Sequence, residues 1–334
     1  MWKLLQKISS NLVIAIPAAI ALGFVYGLFF DSSFLKAFIV PLTFIMVYPM
    51  MINLNWKKLA SGGDGKVILT AQLLNFVFLP LSGFIIGILF FKNNPYMALG
   101  VFLASLFPTS GMTITWTGFS RGNVEAAVKM TLIGLSLGSL LAPFYLKFFM
   151  GKVIPINLLE IFRQVFIIII LPLIAGYITR KAFVAVLGEE NFRKSWGQRF
   201  PSISTLGVLG IVFVAMALKS KAIAAKPLEL LYAVIPLLVL YSLNILVATF
   251  IGKRYLKRED GIAMVFGTVA RNLSIALAVA INAFGEKGAD AALVLSAGFI
   301  IQSQAMAWYS KLAQRIFSEN SNEELRRVAE SAKA

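Results

Sequence analysis

Apolar residues run along this chain in blocks of about twenty, separated by short polar turns. The blocks fall at about 11–30, 34–54, 67–91, 96–119, 124–149, 159–179, 203–219, 227–252, 261–284 and 289–312. A helix needs roughly 20 mostly apolar residues to cross a hydrocarbon core about 30 Å thick, so the pattern predicts ten spans. Two blocks carry polar interruptions. The stretch LFPTSGMTITWTGFSRGN, residues 106–123, puts a proline, glycines, four threonines and two serines into the fourth block. The stretch GTVARNLS, residues 267–274, puts an arginine and an asparagine into the ninth.

These two blocks share a plan: an apolar start, a central interruption, a resumed helix and a polar turn, SRGN (120–123) or GEKGAD (285–290). The next helices open at Asn123 and Asp290, residue types suited to the N-cap. Twelve residues from Tyr96 to Pro108 make about 18 Å of helix, and ten from Gly261 to Arg271 make about 15 Å. Both interruptions are therefore expected near the bilayer centre. Five spans per half forces the halves into opposite orientations, the inverted-repeat plan in which paired broken helices mark a midplane site. The expected organisation is a first five-helix repeat over 1–150, a sixth helix and central polar loop over 151–202, the rest of the second repeat over 203–312, and a tail over 313–334. The loop at 180–202 is expected to link the halves, and the tail to form a solvated or interfacial helix.

Composition agrees with an all-α integral membrane protein: 59% of the 334 residues are hydrophobic, 14% are charged, and mean hydropathy is +0.82. The net charge of +16 does not point to nucleic acid, because the basic residues alternate between loops. With the N-terminus inside, 20 of the 31 Lys and Arg fall at inner ends, loops and the tail, against nine at outer ends. That asymmetry predicts a multi-pass cell-membrane protein with both termini cytoplasmic. The N-terminus resembles a signal peptide, but its apolar run is long enough to span and is read as the first helix. The chain has no Cys and no His. Without those residues or a pair of intramembrane carboxylates, little is left for acid–base or metal chemistry, so no enzyme activity, metal or other cofactor is expected.

The candidate chemistry lies at the interruptions. Pro108 removes a helix donor and Gly111 permits an unwound backbone. Freed backbone groups with the hydroxyls of Thr109, Ser110, Thr113, Thr115 and Thr117 could bind an ion or polar solute; the competing reading is a proline kink whose hydroxyls bond back to their own helix. Arg271 and Lys129 are the two basic residues inside spans. An arginine at that depth is costly and faces a cavity or partner. It is either a cation contacting an anion or replacing an ion, or one half of a buried structural pair, for which Glu125 is a possible partner. Glu125 also stands four residues before Lys129, the favourable order for a helical ion pair.

The stretches PTSGMTITWTGFSRGN, NFVFLP (75–80) and GTVARNLSIALAVAI resemble the bile acid/sodium symporter superfamily, which includes the arsenite permeases. The resemblance covers most of the chain. It implies a panel domain and a core domain, with the fourth and ninth spans crossing in the core, and it marks Asn75, Thr113, Thr131, Thr268, Arg271 and Asn272 as standing at sodium-ligand positions. Departures are plain. Asn75 replaces a glutamine, Thr113 and Ile114 replace a serine–asparagine pair, and Ala127 replaces a serine. Thr268 stands near the family's glutamate, Arg271 at a methionine and Asn272 at a glutamine. Sodium coupling is therefore in question. Against the arsenite permeases, the essential cysteine falls at Thr109 and the ninth-span glutamate near Ser274, so a thiol-dependent mechanism is not open to this chain.

The expectation is a secondary transporter moving a small, anionic solute by alternating access at the crossing. The rivals are a metalloid efflux permease of the same fold and a membrane sensor that binds without transporting.

Overall fold

The computed structural model describes residues 2–55, 63–225 and 228–331; Lys57, Lys58, Lys226 and Lys333 of the charge pattern lie outside the described residues. Among these residues all regular structure is helical, with no strand. We number the helices α1 (Trp2–Ser10), α2 (Leu12–Phe29), α3 (Ile39–Ile52, preceded by a 3-10 turn over Ser33–Phe38), α4 (Gly65–Phe90), α5 (Pro95–Leu106), α6 (Gly111–Phe119) and α7 (Val124–Met150). The second half continues with α8 (Leu158–Leu187), α9 (Glu189–Lys194), α10 (Trp196–Ala225), α11 (Leu228–Tyr255), α12 (Arg258–Val269) and α13 (Leu273–Ser331). Among the described residues seven helical stretches are long and apolar enough to cross a membrane, and the bent pair α5–α6, taken as one span, makes an eighth. This is the architecture of an integral membrane protein.

Two details differ from the expectation and one agrees with it. The central segment 180–202 is mostly helical: α8 runs on to Leu187, α9 follows, and α10 begins at Trp196. Its aromatic residues explain this, since Phe183, Trp196 and Phe200 pack around buried Phe192. Asp290 does not open a helix: α13 joins two helices across a kink at Gly285, whose φ of 56° is open to glycine, and Asp290 lies five residues past that kink, already inside the second of them. Asn123 does cap α7, accepting from the Ala126 amide at 3.0 Å.

Two packing groups form. Helices α2 and α3 lie along α10, with α8 against α3. In the other group α5 is packed between α4 and α13, α11 lies on α12 and α13, and α6 lies against α7 and α12. The groups meet where α13 touches α2, α3 and α10. There Asn282 donates to Thr43 at 3.1 Å, and Lys36 pairs with Glu286.

Prolines shape the site. Within α4 the turn Leu74–Phe78 is a π-helix just before Pro80. Pro80 has no N–H to give the carbonyl four residues back, so the Phe76 carbonyl is free, and the Tyr145 hydroxyl donates to it. The wide turn carries Asn75, fully buried, in the kind of irregularity often found at functional sites.

Candidate functional site

The fourth block is broken over 107–110, and α5 and α6 meet at 57°. Phe107 takes the extended backbone (φ −89°, ψ 102°) that a residue before proline prefers. The left-handed residue of the break is Thr109 at φ 57°, not Gly111, which simply opens α6. A β-branched residue there is a true outlier. Close packing holds it: a methyl group on Gly134 would lie 2.8 Å from the Thr109 hydroxyl, and one on Gly138 would lie 2.9 Å from Pro108 Cδ. These glycines let α7 approach the break.

The hydroxyl cluster is occupied with its own backbone. Ser110 caps α6, accepting from the Met112 amide, while Thr113 accepts from the Ser110 amide at 3.3 Å. Thr109 donates to the Pro108 carbonyl at 2.8 Å, Thr117 to Thr113 at 2.7 Å and Thr115 to Gly111 at 3.4 Å. Thr131 on α7 donates to Ala127 at 2.7 Å. The reading in which the hydroxyls bond back to their own backbone therefore accounts for the donors of Thr109, Thr115, Thr117 and Thr131, whereas Ser110 and Thr113 enter these bonds as acceptors and keep their hydroxyl hydrogens for another partner.

The ninth block breaks at 270–272, between α12 and α13. A helix end leaves its last four carbonyls without partners, and here each finds one. Phe266 accepts from the Ala270 amide at 3.1 Å, Gly267 from Asn75 Nδ2 at 3.1 Å, Thr268 from Asn244 Nδ2 at 2.8 Å, and Val269 from the Arg271 amide at 2.9 Å. Asn272 caps α13, accepting from the Ile275 amide at 3.3 Å. Its own amide donates to the Phe107 carbonyl at 2.9 Å, which ties one break to the other. Ser274 is buried in the first turn of α13, and the Thr268 hydroxyl donates to Val265.

Arg271 lies at the centre, 2% exposed. Its guanidinium donates to Asn75 Oδ1, to the Ser105 carbonyl and, at 3.4 Å, to the Thr268 carbonyl. Ser105 and Thr268 lie at the C-terminal ends of α5 and α12, so two negative dipole ends bracket the charge. Among the described residues no carboxylate pairs with it. The possible Glu125 partnership is not formed: Glu125 lies 3.1 Å from Lys129, which also binds Asp64 at 2.8 Å. Asn123 Nδ2 joins that group, donating to Asp64 and Asp260, each at 2.8 Å.

The structure thus gathers Asn75, Thr268, Arg271 and Asn272 in one cage, with Thr109, Ser110 and Thr113 at the adjoining break and Thr131 within reach of Thr109 through its carbonyl at 3.4 Å. Gly111 stands apart, exposed, with open space beside it. Asp64, Tyr241, Asn244 and Gln302 contribute without any local sequence signal beyond their being polar residues in or beside apolar blocks.

The chain is similar to the Arsenical-resistance protein Acr3 of Alkaliphilus metalliredigens, at 24% identity over 294 residues that cover 82% of this chain and 80% of that protein. It is similar to the protein of the same name from Corynebacterium glutamicum, at 24% over 310 residues, 83% and 82% of the two chains. A shorter similarity, 27% over 210 residues, 61% of this chain and 47% of the other, is to the Probable sodium/metabolite cotransporter BASS2, chloroplastic, of Oryza sativa subsp. japonica. Residues 40–226, more than half of the chain and including the broken fourth block, match the Sodium Bile acid symporter family, and the chain belongs to that family of membrane transporters.

Proposed function

We propose that this protein is a secondary active transporter that moves a small, anionic solute by alternating access at the crossing of the two broken blocks, with Arg271 as a built-in cation. One observation carries the reading: a guanidinium buried among Asn75 Oδ1 and the Ser105 and Thr268 carbonyls, with no carboxylate partner among the described residues. Oxygen ligands of this kind suit a bound cation, and here a covalently attached one fills them. A permanent charge makes a mobile coupling cation unnecessary at this position, so solute binding is independent of sodium. It also leaves the crossing positive, reinforced by the N-terminal dipole ends of α6 and α13, which favours an anionic solute. Because Arg271 is enclosed, its attraction acts through space, and the hydroxyls of Thr109, Ser110 and Thr113 orient the solute, those of Ser110 and Thr113 as donors.

The accompanying architecture is ten spans in two inverted five-helix repeats, with both termini cytoplasmic in a cell membrane. Residues 1–150 form the first repeat, 151–202 the sixth helix and central segment, 203–312 the rest of the second repeat and 313–334 the tail. Helices α2, α3, α8 and α10 act as the panel against which the remaining core moves. The second reading is efflux of an arsenite-type metalloid, favoured by similarity to proteins named for arsenical resistance over more than four-fifths of the chain. Thr109 then offers a hydroxyl rather than a thiol.

Counterflow in proteoliposomes separates these readings. Labelled small organic anions and arsenite are each tested in sodium and in choline. The proposal expects anion exchange of equal affinity in both salts. Arsenite exchange alone establishes the second reading, binding without exchange indicates a sensor, and a steep, saturating sodium dependence overturns the built-in cation.

A further inference from the structure

We propose that Gln302 and Tyr241 are positioning residues that set Arg271 into its cage, an inference that rests on the built-in cation reading above. The Gln302 side chain meets both backbone polar groups of Arg271. Its Oε1 accepts from the Arg271 amide at 2.8 Å, and its Nε2 donates to the Arg271 carbonyl at 3.2 Å. A neighbouring strand would pair with a peptide in this way; here one side chain does so from a later part of α13. Arg271 needs the support because it sits in the gap between α12 and α13, where no continuous helical ladder fixes its backbone.

A primary amide can be turned end for end. Reversed, Gln302 would set donor against donor and acceptor against acceptor along the Arg271 backbone. Tyr241 on α11 selects the working orientation, because its hydroxyl donates to Gln302 Oε1 at 2.9 Å. Both residues are 2% exposed, so water does not take over a lost partner; without Gln302 the Arg271 amide and carbonyl keep only their bonds to the Val269 carbonyl at 2.9 Å and from the Leu273 amide at 3.0 Å, which close on residues two positions away and do not fix the peptide against the rest of the core. With the Arg271 backbone fixed, its side chain reaches Asn75 on α4 and the Ser105 carbonyl on α5 together. The cage oxygens come from α4, α5 and α12, while the device that aims the cation comes from α11 and α13. Gln302 and Tyr241 touch no cage oxygen; they act through Arg271.

The test compares melting temperatures of purified full-length protein in sodium chloride and choline chloride at equal ionic strength. Wild type, Arg271→Met, Gln302→Met and Tyr241→Phe are measured side by side. Wild type melts equally in both salts. Arg271→Met vacates the cage and gains a sodium-dependent upward shift of several degrees. Gln302→Met releases the guanidinium and gains a shift of the same sign, and Tyr241→Phe a smaller one. A purely structural role lowers melting equally in both salts. If Arg271→Met responds to sodium while Gln302→Met and Tyr241→Phe do not, the positioning role is overturned and the cation reading stands. If Arg271→Met itself shows no response, the cation reading falls, and this inference with it. Should Gln302→Met fail to fold, Tyr241→Phe, which removes a single hydroxyl, decides the matter by the same comparison.

Discussion

The carbonyl of Phe107 accepts a hydrogen bond from the amide of Asn272 at 2.9 Å, joining the broken fourth and ninth blocks backbone to backbone. The same breaks supply the Ser105 and Thr268 carbonyls to one guanidinium. The crossing is thus one polar unit, and displacing either break disturbs the other.

Arg271→Met is expected to leave Asn75 Oδ1 and the Ser105 carbonyl without the donor they now have. Each buried unsatisfied group costs about 1–3 kcal/mol, and in choline, where no cation refills the cage, solute affinity is expected to fall about tenfold or more as the through-space attraction of the buried charge is lost. Arg271→Lys keeps the charge but serves both oxygens poorly, having lost the planar fork, and lies between. Thermal melting and calorimetric binding check this; a methionine variant matching wild type in both would remove Arg271 from the site.

Gly138→Ala places its new methyl 2.9 Å from Pro108 Cδ, part of a rigid ring. Overpacking of this kind costs about 1–3 kcal/mol. Gly111→Ala meets nothing within 4 Å, and its stability is expected to stay within about 0.5 kcal/mol of wild type. Melting of both variants tests whether close approach or backbone freedom matters at this break; equal melting temperatures would argue against the packing account.

Lys129 is 3% exposed at its side chain and Asp64 is 16% exposed, with the pair at 2.8 Å. Removing the partner at 2.8 Å leaves Lys129 with one exposed carboxylate, so Asp64→Asn is expected to lower the melting temperature, moderated by Glu125 at 3.1 Å. Glu125→Gln costs less, because that carboxylate is 52% exposed and screened by solvent. Adding Lys129→Met to Asp64→Asn is expected to recover part of the loss. A double-mutant cycle in which the two changes simply add would show that no pair energy exists.

Thr43 on α3 and Asn282 on α13 touch at 3.1 Å where the two packing groups meet. The chain has no cysteine, so Thr43→Cys with Asn282→Cys gives a clean pair for a short bis-methanethiosulfonate crosslinker, which attaches to each thiol through a disulfide, releasing sulfinate, and is cleaved by a reductant. Crosslinking is expected to hold the groups together and stop counterflow, with recovery on reduction. Full exchange in crosslinked protein would mean that this contact does not open during transport.

Much of the framework is local and was legible in the sequence. Apolar blocks set the helices, because backbone buried in lipid must bond within its own segment. Pro108 forced one break. Asn123 capped its helix, and the spacing of Glu125 and Lys129 brought that pair together within one helix face. The tertiary structure decided what the polar residues do. No local pattern separated Gln302, Tyr241 and Asn244 from other polar residues in apolar blocks. The Ser105 and Thr268 carbonyls that face Arg271 belong to the backbone and leave no mark in side-chain sequence. Its contacts with Ser105 and Asn75 span 166 and 196 residues. Whether the hydroxyls near Pro108 were free or bonded to their own helix also depended on the turn the broken backbone took, with Thr109 rather than Gly111 left-handed. A helix fixes its own hydrogen bonds from neighbours three and four residues away; the partners of a broken helix are set by whichever helices cross it.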